Sequence, residues 1–198
     1  MNVKQWLAEK GVEIAAHIKM IAGITDTPHT LDWVDPDLNA IQKDFPVLNP
    51  EAGKEMRQAI ANARADGDSV GGIIECFVAG LPVGIGEPMF GGMESKIAQI
   101  VYGIPAVKGL DFGSGFAGSC LKGSQNNDQF MIADGKIRTQ TNHAGGILGG
   151  MSDGSPIVFR AAFKPTPSIG SVQKTVNKNG ENIQTEIKGR HDPIVVPR

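Results

Sequence analysis

Ile157-Val158-Phe159-Arg160-Ala161-Ala162-Phe163-Lys164 alternates between two sets of side chains, with Ile157, Phe159, Ala161 and Phe163 in one and Val158, Arg160, Ala162 and Lys164 in the other. Successive side chains of a strand point to opposite faces, so this period of two predicts a strand whose apolar face lies opposite one shared by Arg160 and Lys164. The same period recurs near the start of the chain. There Val12, Ile14, Ala16, Ile18 and Met20 alternate with Glu13, Ala15, His17, Lys19 and Ile21, which predicts a half-buried antiparallel strand with His17 on its polar side. The glycine-bounded apolar run 71–79 predicts a buried strand, although so short a run also fits a helix. Asp134-Gly135 joins residues 130–133 to 136–139 as a hairpin, because this dipeptide accepts the positive backbone angles of a type I′ turn. Asn179-Gly180 marks another hairpin, between 172–176 and 183–187.

Helices punctuate these strands. Val3, Trp6 and Leu7 have helical spacing, and Gly11 is placed to end that helix. Residues 25–35 read as a loop. Asp35-Pro36 and Asn49-Pro50 each set a capping residue before a proline suited to the first helical position. The second is clearer, with Met56, Ile60 and Ala63 as its apolar stripe and Gly67 as its stop. Phe90, Met93, Ile97 and Val101 predict a further amphipathic helix. No internal repeat or linker divides these elements, so residues 1–198 read as a single α+β layered domain with a mainly antiparallel sheet.

Composition narrows the function classes. The 198 residues include 40% apolar side chains, enough for one sizeable core, and 19 Lys+Arg against 21 Asp+Glu leave a net charge of -2. Without a basic run there is no broad field for nucleic acid or an anionic membrane, so any anion site must be local. No apolar stretch approaches the ~20 residues of a transmembrane helix, and residues 1–11 interleave charge with Trp6 and Leu7, unlike a signal peptide. Cys76 and Cys120 have no CxxC partner and read as free thiols of a reduced, cytoplasmic protein. The 26 glycines, roughly twice average usage, point to backbone turns and close approaches.

Four motifs could carry chemistry. Gly113-Ser114-Gly115-Phe116-Ala117-Gly118 matches the dinucleotide-binding spacing, but 119–128 lacks the amphipathic helix needed to present N–H groups to a pyrophosphate. It reads as a tight or bulged turn after a strand. Gly145-Gly146 and Gly149-Gly150 admit either a cofactor or another backbone. Lys164-Pro165-Thr166-Pro167-Ser168 joins a cation and two hydroxyls to backbone-fixing prolines, suited to a phosphate or polar ring edge, or simply to a chain exit. In Arg190-His191-Asp192 an extended backbone would put Arg190 and Asp192 on one side and His191 on the other. The plain alternative is a salt-bridged surface turn. His17, His29 and His143 show no metal-ligand spacing, so no metal is expected, and no Gly-Xaa-Ser-Xaa-Gly elbow supports a hydrolase.

Taken together, Gly86-Glu87-Pro88-Met89-Phe90, the 145–150 glycine loop, Lys164-Pro165-Thr166-Pro167-Ser168 and the stretch from Gly189 to Arg198 resemble the second half of chorismate synthase, in matching order and similar spacing. Thr141-Asn142-His143 and Met151-Ser152-Asp153-Gly154 also match the pattern around the glycine loop. The likeness runs from about Val3 to Arg198. It implies a β-α-β sandwich-type fold and a lyase of the shikimate pathway that eliminates phosphate from 5-enolpyruvylshikimate 3-phosphate to give chorismate, dependent on reduced FMN. By residue, it implies flavin contacts at Pro105, Ala106, Gly149, Lys164, Pro165, Thr166, Pro167, Ser168 and Arg190, and an active-site carboxylate at Asp192. His191 gains no catalytic role, since the family also places Ser there. A homotetramer is implied as well. The family's N-terminal region, with two acid-base histidines and most phosphate-binding arginines, has no counterpart here, so the chain reads as a fragment expected to be inactive alone. The alternative is a noncatalytic flavin- or phosphate-binding oligomerisation module on the same fold.

Overall fold

A computed structural model describes residues 2–26, 44–133 and 135–197. Helix α1 (Val3–Glu9) is followed by strands β1 (Glu13–Ile21) and β2 (Ile24–Thr25), helix α2 (Pro50–Ala65), β3 (Gly72–Ala79), helix α3 (Met93–Val101) and β4 (Val107–Phe112). Next come β5 (Phe130–Ala133), β6 (Lys136–Thr139), the short pair β7 (Ile147–Leu148) and β8 (Met151–Ser152), and β9 (Ile157–Phe163). Strands β10 (Gln173–Val176) and β11 (Asn182–Thr185) complete the set. The main sheet is antiparallel, in the order β2-β1-β3-β9-β4, and three two-stranded ribbons accompany it. The α+β class with an antiparallel sheet is therefore observed.

Local chemistry explains the elements. Asn49 caps α2 by accepting the Glu51 N–H at 3.0 Å, Pro50 holds the first helical position, and Gly67 follows the last turn at φ 64°. Helix α3 begins at Met93, so Phe90 belongs to a preceding 3₁₀ turn and is exposed instead of joining the apolar stripe. The helix proposed at Asp35-Pro36 and the residue Asp134 of the β5–β6 turn lie outside the described residues. The dinucleotide-like glycine motif forms a turn after β4, with Gly113 at φ 55° and one short helical turn over Gly115–Gly118.

Helices α2 and α3 cover one face of the sheet. Ile18, Ile21, Met56 and Ile194 are buried together against Ile60, Val70 and Ile74, while Val101, Val107 and Ala161 pack with Ile97, Leu110 and Phe159. The opposite face departs from the alternation expected of a half-solvated sheet. His17 and Glu75 are almost wholly buried there and Arg160 is largely enclosed, because these polar side chains pair with one another across the strands. Lys164 stands beyond the end of β9 and is exposed. Among the described residues no helix is long and apolar enough to cross a membrane, and no group of three or more His, Cys, Asp or Glu side chains is placed to hold a metal.

Candidate functional site

Strands β4 and β9 pair up to Val107 and Phe163, which brings the segments flanking them together. The Lys164 N–H donates to the Ala106 carbonyl at 2.9 Å. Ala106 has φ 72°, a left-handed conformation that costs a residue bearing a Cβ about 1–2 kcal/mol and is held by the surrounding hydrogen bonds. Beyond Lys164 the chain runs against the segment that links α2 to β3. A methyl on Gly71 would meet the Pro165 ring, and the Ser69 hydroxyl donates to the Thr166 carbonyl at 2.7 Å. The Thr166 hydroxyl oxygen is buried with no hydrogen-bond partner among the described residues.

The chain returns to this place near its end. Val70 N–H donates to the Pro193 carbonyl at 2.8 Å, and both Gly170 and Ser171 N–H groups donate to Gly67. The His191 Nδ1 sits 3.1 Å from the Ser168 carbonyl, while Nε2 sits 2.7 Å from the Ile187 carbonyl. His191 thus faces inward as a clasp between two backbone segments. Arg190 Nε lies 3.9 Å from Asp192 Oδ1, so the two side chains share a side as alternation predicted, with Arg190 84% and Asp192 36% exposed. Four segments, 104–107, 67–71, 164–171 and 187–193, converge at one end of the sheet. Pairwise contacts thus link Ala106 to Lys164, Thr166 to Ser69, and Ser168 to His191, so that Pro105, Ala106, Lys164, Pro165, Thr166, Pro167, Ser168, Arg190 and Asp192 lie on segments joined in series.

Gly149 stands apart from that cluster. Gly150 accepts the Met93 N–H at 2.8 Å, placing the glycine loop beside the start of α3, whereas Pro105 follows its end. Nine residues of helix separate the two by about 14 Å along the axis at ~1.5 Å per residue. Three glycines of the loop face protein. Side chains at Gly145, Gly146 and Gly150 would run into the backbones of Gly113, Pro156 and Glu87, respectively. Only Gly149 has open space within 4 Å of an added Cβ.

A second polar feature was not apparent from the sequence. Across β1, β3, β9 and β4, the directly opposed residues His17, Glu75, Arg160 and Asp111 form a continuous row. His17 Nε2 lies 3.0 Å from Glu75 Oε1 and its Nδ1 lies 3.2 Å from Asp26 Oδ2. Arg160 donates to Glu75 at 2.7 Å, to Asp111 at 3.0 Å and to the Gly113 carbonyl at 2.8 Å. Burial alone would raise the Glu75 pKa, but the His17 hydrogen bond and the Lys19 and Arg160 charges outweigh it and hold Glu75 down at about 2. Asp26 also accepts the Leu48 and Asn49 N–H groups, tying the row to the start of α2. Each strand contributes a single member of the row, and only the register joins them.

Chemically, the row is mutually paired and largely enclosed, whereas the end-of-sheet cluster presents Lys164, Ser168, Arg190 and Asp192 toward solvent and keeps the Thr166 hydroxyl buried. The cluster thus has the donors and the charge that an anionic, hydrogen-bonding ligand requires.

Comparison with known proteins identifies the family. The family description "Chorismate synthase" matches residues 2–198. Chorismate synthase of Lachnospira eligens is 46% identical over 97% of this chain and 51% of its own length, and that of Lachnoclostridium phytofermentans is 48% identical over 97% and 52%. Chorismate synthase of Methanosarcina barkeri is 45% identical over 98% of this chain and 53% of its own length. A crystal structure of chorismate synthase superimposes with a TM-score of 0.76 at 29% identity, over 83% of this chain and 52% of that one. The chain belongs to the chorismate synthase family and spans about half the length of the curated relatives it matches.

Proposed function

We propose that this chain forms the flavin-facing half of a chorismate synthase, which eliminates phosphate from 5-enolpyruvylshikimate 3-phosphate to give chorismate. The observation that carries the reading is the convergence of 104–107, 164–168 and 190–192 at one end of the sheet, from three separate stretches of sequence. The residues fit reduced FMN. Thr166 keeps a buried hydroxyl without a partner, and the exposed Lys164 has no carboxylate partner among the described residues. Pro105, Ala106, Lys164, Pro165, Thr166, Pro167 and Ser168 would hold the cofactor's polar edge. Gly149, at the far end of α3, would meet an elongated ligand laid along that helix.

Reduced FMN held there would supply electron density that helps the allylic phosphate leave and would assist removal of the ring proton, with no net redox change between substrate and product. The protein's part is orientation and charge. Lys164 and Arg190 offset the charge of anionic groups in a protein with no general positive field, and Asp192 holds a carboxylate where proton transfer can be tuned. Acid-base catalysis by the two histidines of the family's other half is needed as well, each worth about 10²–10⁴-fold. A homotetramer in the cytoplasm fits the reading, and the exposed Phe90, Phe116, Ile132 and Ile137 support association.

The test is anaerobic chorismate formation with reduced FMN. The 198-residue chain alone should give none, and the chain mixed with the first half of a close relative should give turnover. Turnover by the chain alone would overturn the dependence on a second half. Flavin binding without turnover in a mixture whose halves associate would favour a noncatalytic flavin-binding module.

A further inference from the structure

Arg64, in the last turn of α2, opens onto the same cavity as Arg190. That cavity, of about 260 Å³, lies between the end of α2 and residues 189–193, and Gly67, Asp68 and His191 also line it. Two long-range contacts fix its walls. Gly67 accepts the Gly170 and Ser171 N–H groups, and Val70 donates to Pro193 at 2.8 Å. Neither guanidinium is consumed by the fold. Arg64 has no ion-pair partner among the described residues, and Arg190, 84% exposed, meets Asp192 through Nε at a loose 3.9 Å. One competing carboxylate is partly occupied, since Asp68 Oδ1 accepts the Ser69 N–H at 2.7 Å. His191 contributes shape, because both its ring nitrogens already face backbone carbonyls.

We propose that Arg64 and Arg190 form a two-guanidinium clamp for a phosphate monoester dianion, with Arg64 a binding residue of the candidate site in addition to those already named. A phosphate monoester carries about −1.5 to −2 charge at neutral pH and offers oxygens in the geometry that guanidinium forks match. The cavity admits the phosphate together with the first atoms of the group it esterifies. The clamp adjoins the 164–168 segment through the contact of His191 with Ser168, so its place deepens the flavin and substrate reading on which it rests. Two phosphate monoesters share this chemistry, the flavin phosphate and the substrate phosphate.

Calorimetric titration of the full chain with FMN, riboflavin, shikimate 3-phosphate, shikimate and inorganic phosphate tests the clamp and separates the sources. At low ionic strength at least one phosphorylated compound should bind roughly tenfold or more tightly than its unphosphorylated partner, and salt should narrow the gap. Arg64→Gln should abolish the gap while leaving riboflavin or shikimate binding unchanged, and Arg64→Lys should keep part of it. A gap confined to FMN assigns the clamp to the flavin, and one confined to shikimate 3-phosphate assigns it to the substrate. If FMN outbinds riboflavin equally in the parent and Arg64→Gln, the clamp is overturned while the flavin reading stands. If no flavin binds but inorganic phosphate binds in an Arg64-dependent way, the flavin reading fails and the clamp stands. Absence of phosphate-dependent binding throughout overturns the clamp. Unchanged melting curves for both variants, expected for an exposed helix-end side chain, exclude unfolding as the cause.

Discussion

Glu75 lies in a buried position where a lone carboxylate would be protonated, yet it is held at about 2 against an ordinary 4.5, because His17, Lys19 and Arg160 surround it. Its folded-state value lies below its unfolded one, so its contribution to stability is complete above about pH 4.5 and is lost as the pH falls toward about 2. Glu75→Gln should therefore flatten the acid limb of a melting-temperature profile in that window. At neutral pH it should also cost about 3 kcal/mol, the low end for breaking a buried ion pair, since Arg160 is partly solvated. A variant with the parent's acid slope would show that other carboxylates govern acid unfolding. The adjacent thiol reports on the same surroundings. Burial and then the Glu75 charge push Cys76 up to about 12, while Cys120 is exposed. A disulfide-exchange reagent at pH 8 should titrate one thiol rapidly in the native protein and the second only on unfolding. Two rapid thiols would contradict the burial of β3.

At the scale of elements, what was legible in the sequence was what a single segment contains. The period of two gave β1 and β9, Asn49-Pro50 gave the start of α2, and Asn179-Gly180 gave the β10–β11 hairpin with Gly180 at φ 83°. Features created between segments were not legible. His17 was placed on a polar face because nothing within β1 reveals that Glu75 is its neighbour across the sheet. The glycine loop left cofactor and backbone equally possible, since the partners of Gly145, Gly146 and Gly150 come from three other segments, at Gly113, Pro156 and Glu87. For the cluster at the sheet end, family likeness supplied the residues and the β4–β9 register explains their meeting. The loop yields a direct comparison. Gly146→Ala must hold φ 78° and drive a methyl into the Pro156 carbonyl, whereas Gly149→Ala meets open space and bears only the left-handed penalty of about 1–2 kcal/mol. Gly146→Ala should lower the melting temperature several-fold more than Gly149→Ala. Equal losses would mean that the loop's packing is not what requires glycine.

Across the whole molecule, two polar systems occupy different places for different purposes. The row from Asp26 to Asp111 is largely enclosed, mutually paired and joined to the start of α2, so it serves to fix sheet and helix together. The cluster around residues 164–168 and 190–192 lies at the sheet's end, where the packed domain faces solvent or whatever completes it. Asp192 is the residue at which these roles can be told apart, because it belongs to the second system yet sits next to the His191 clasp that belongs to the fold. Asp192→Asn preserves size and hydrogen bonding but removes the negative charge. In the two-half enzyme, a carboxylate that tunes proton transfer should cost about 10²–10⁴-fold in turnover when neutralised, with flavin affinity and melting temperature little changed. A turn residue would give the reverse, near-normal turnover with a lower melting temperature. Measuring all three quantities on one variant decides the assignment, and turnover within a few-fold of the parent would remove Asp192 from the chemistry.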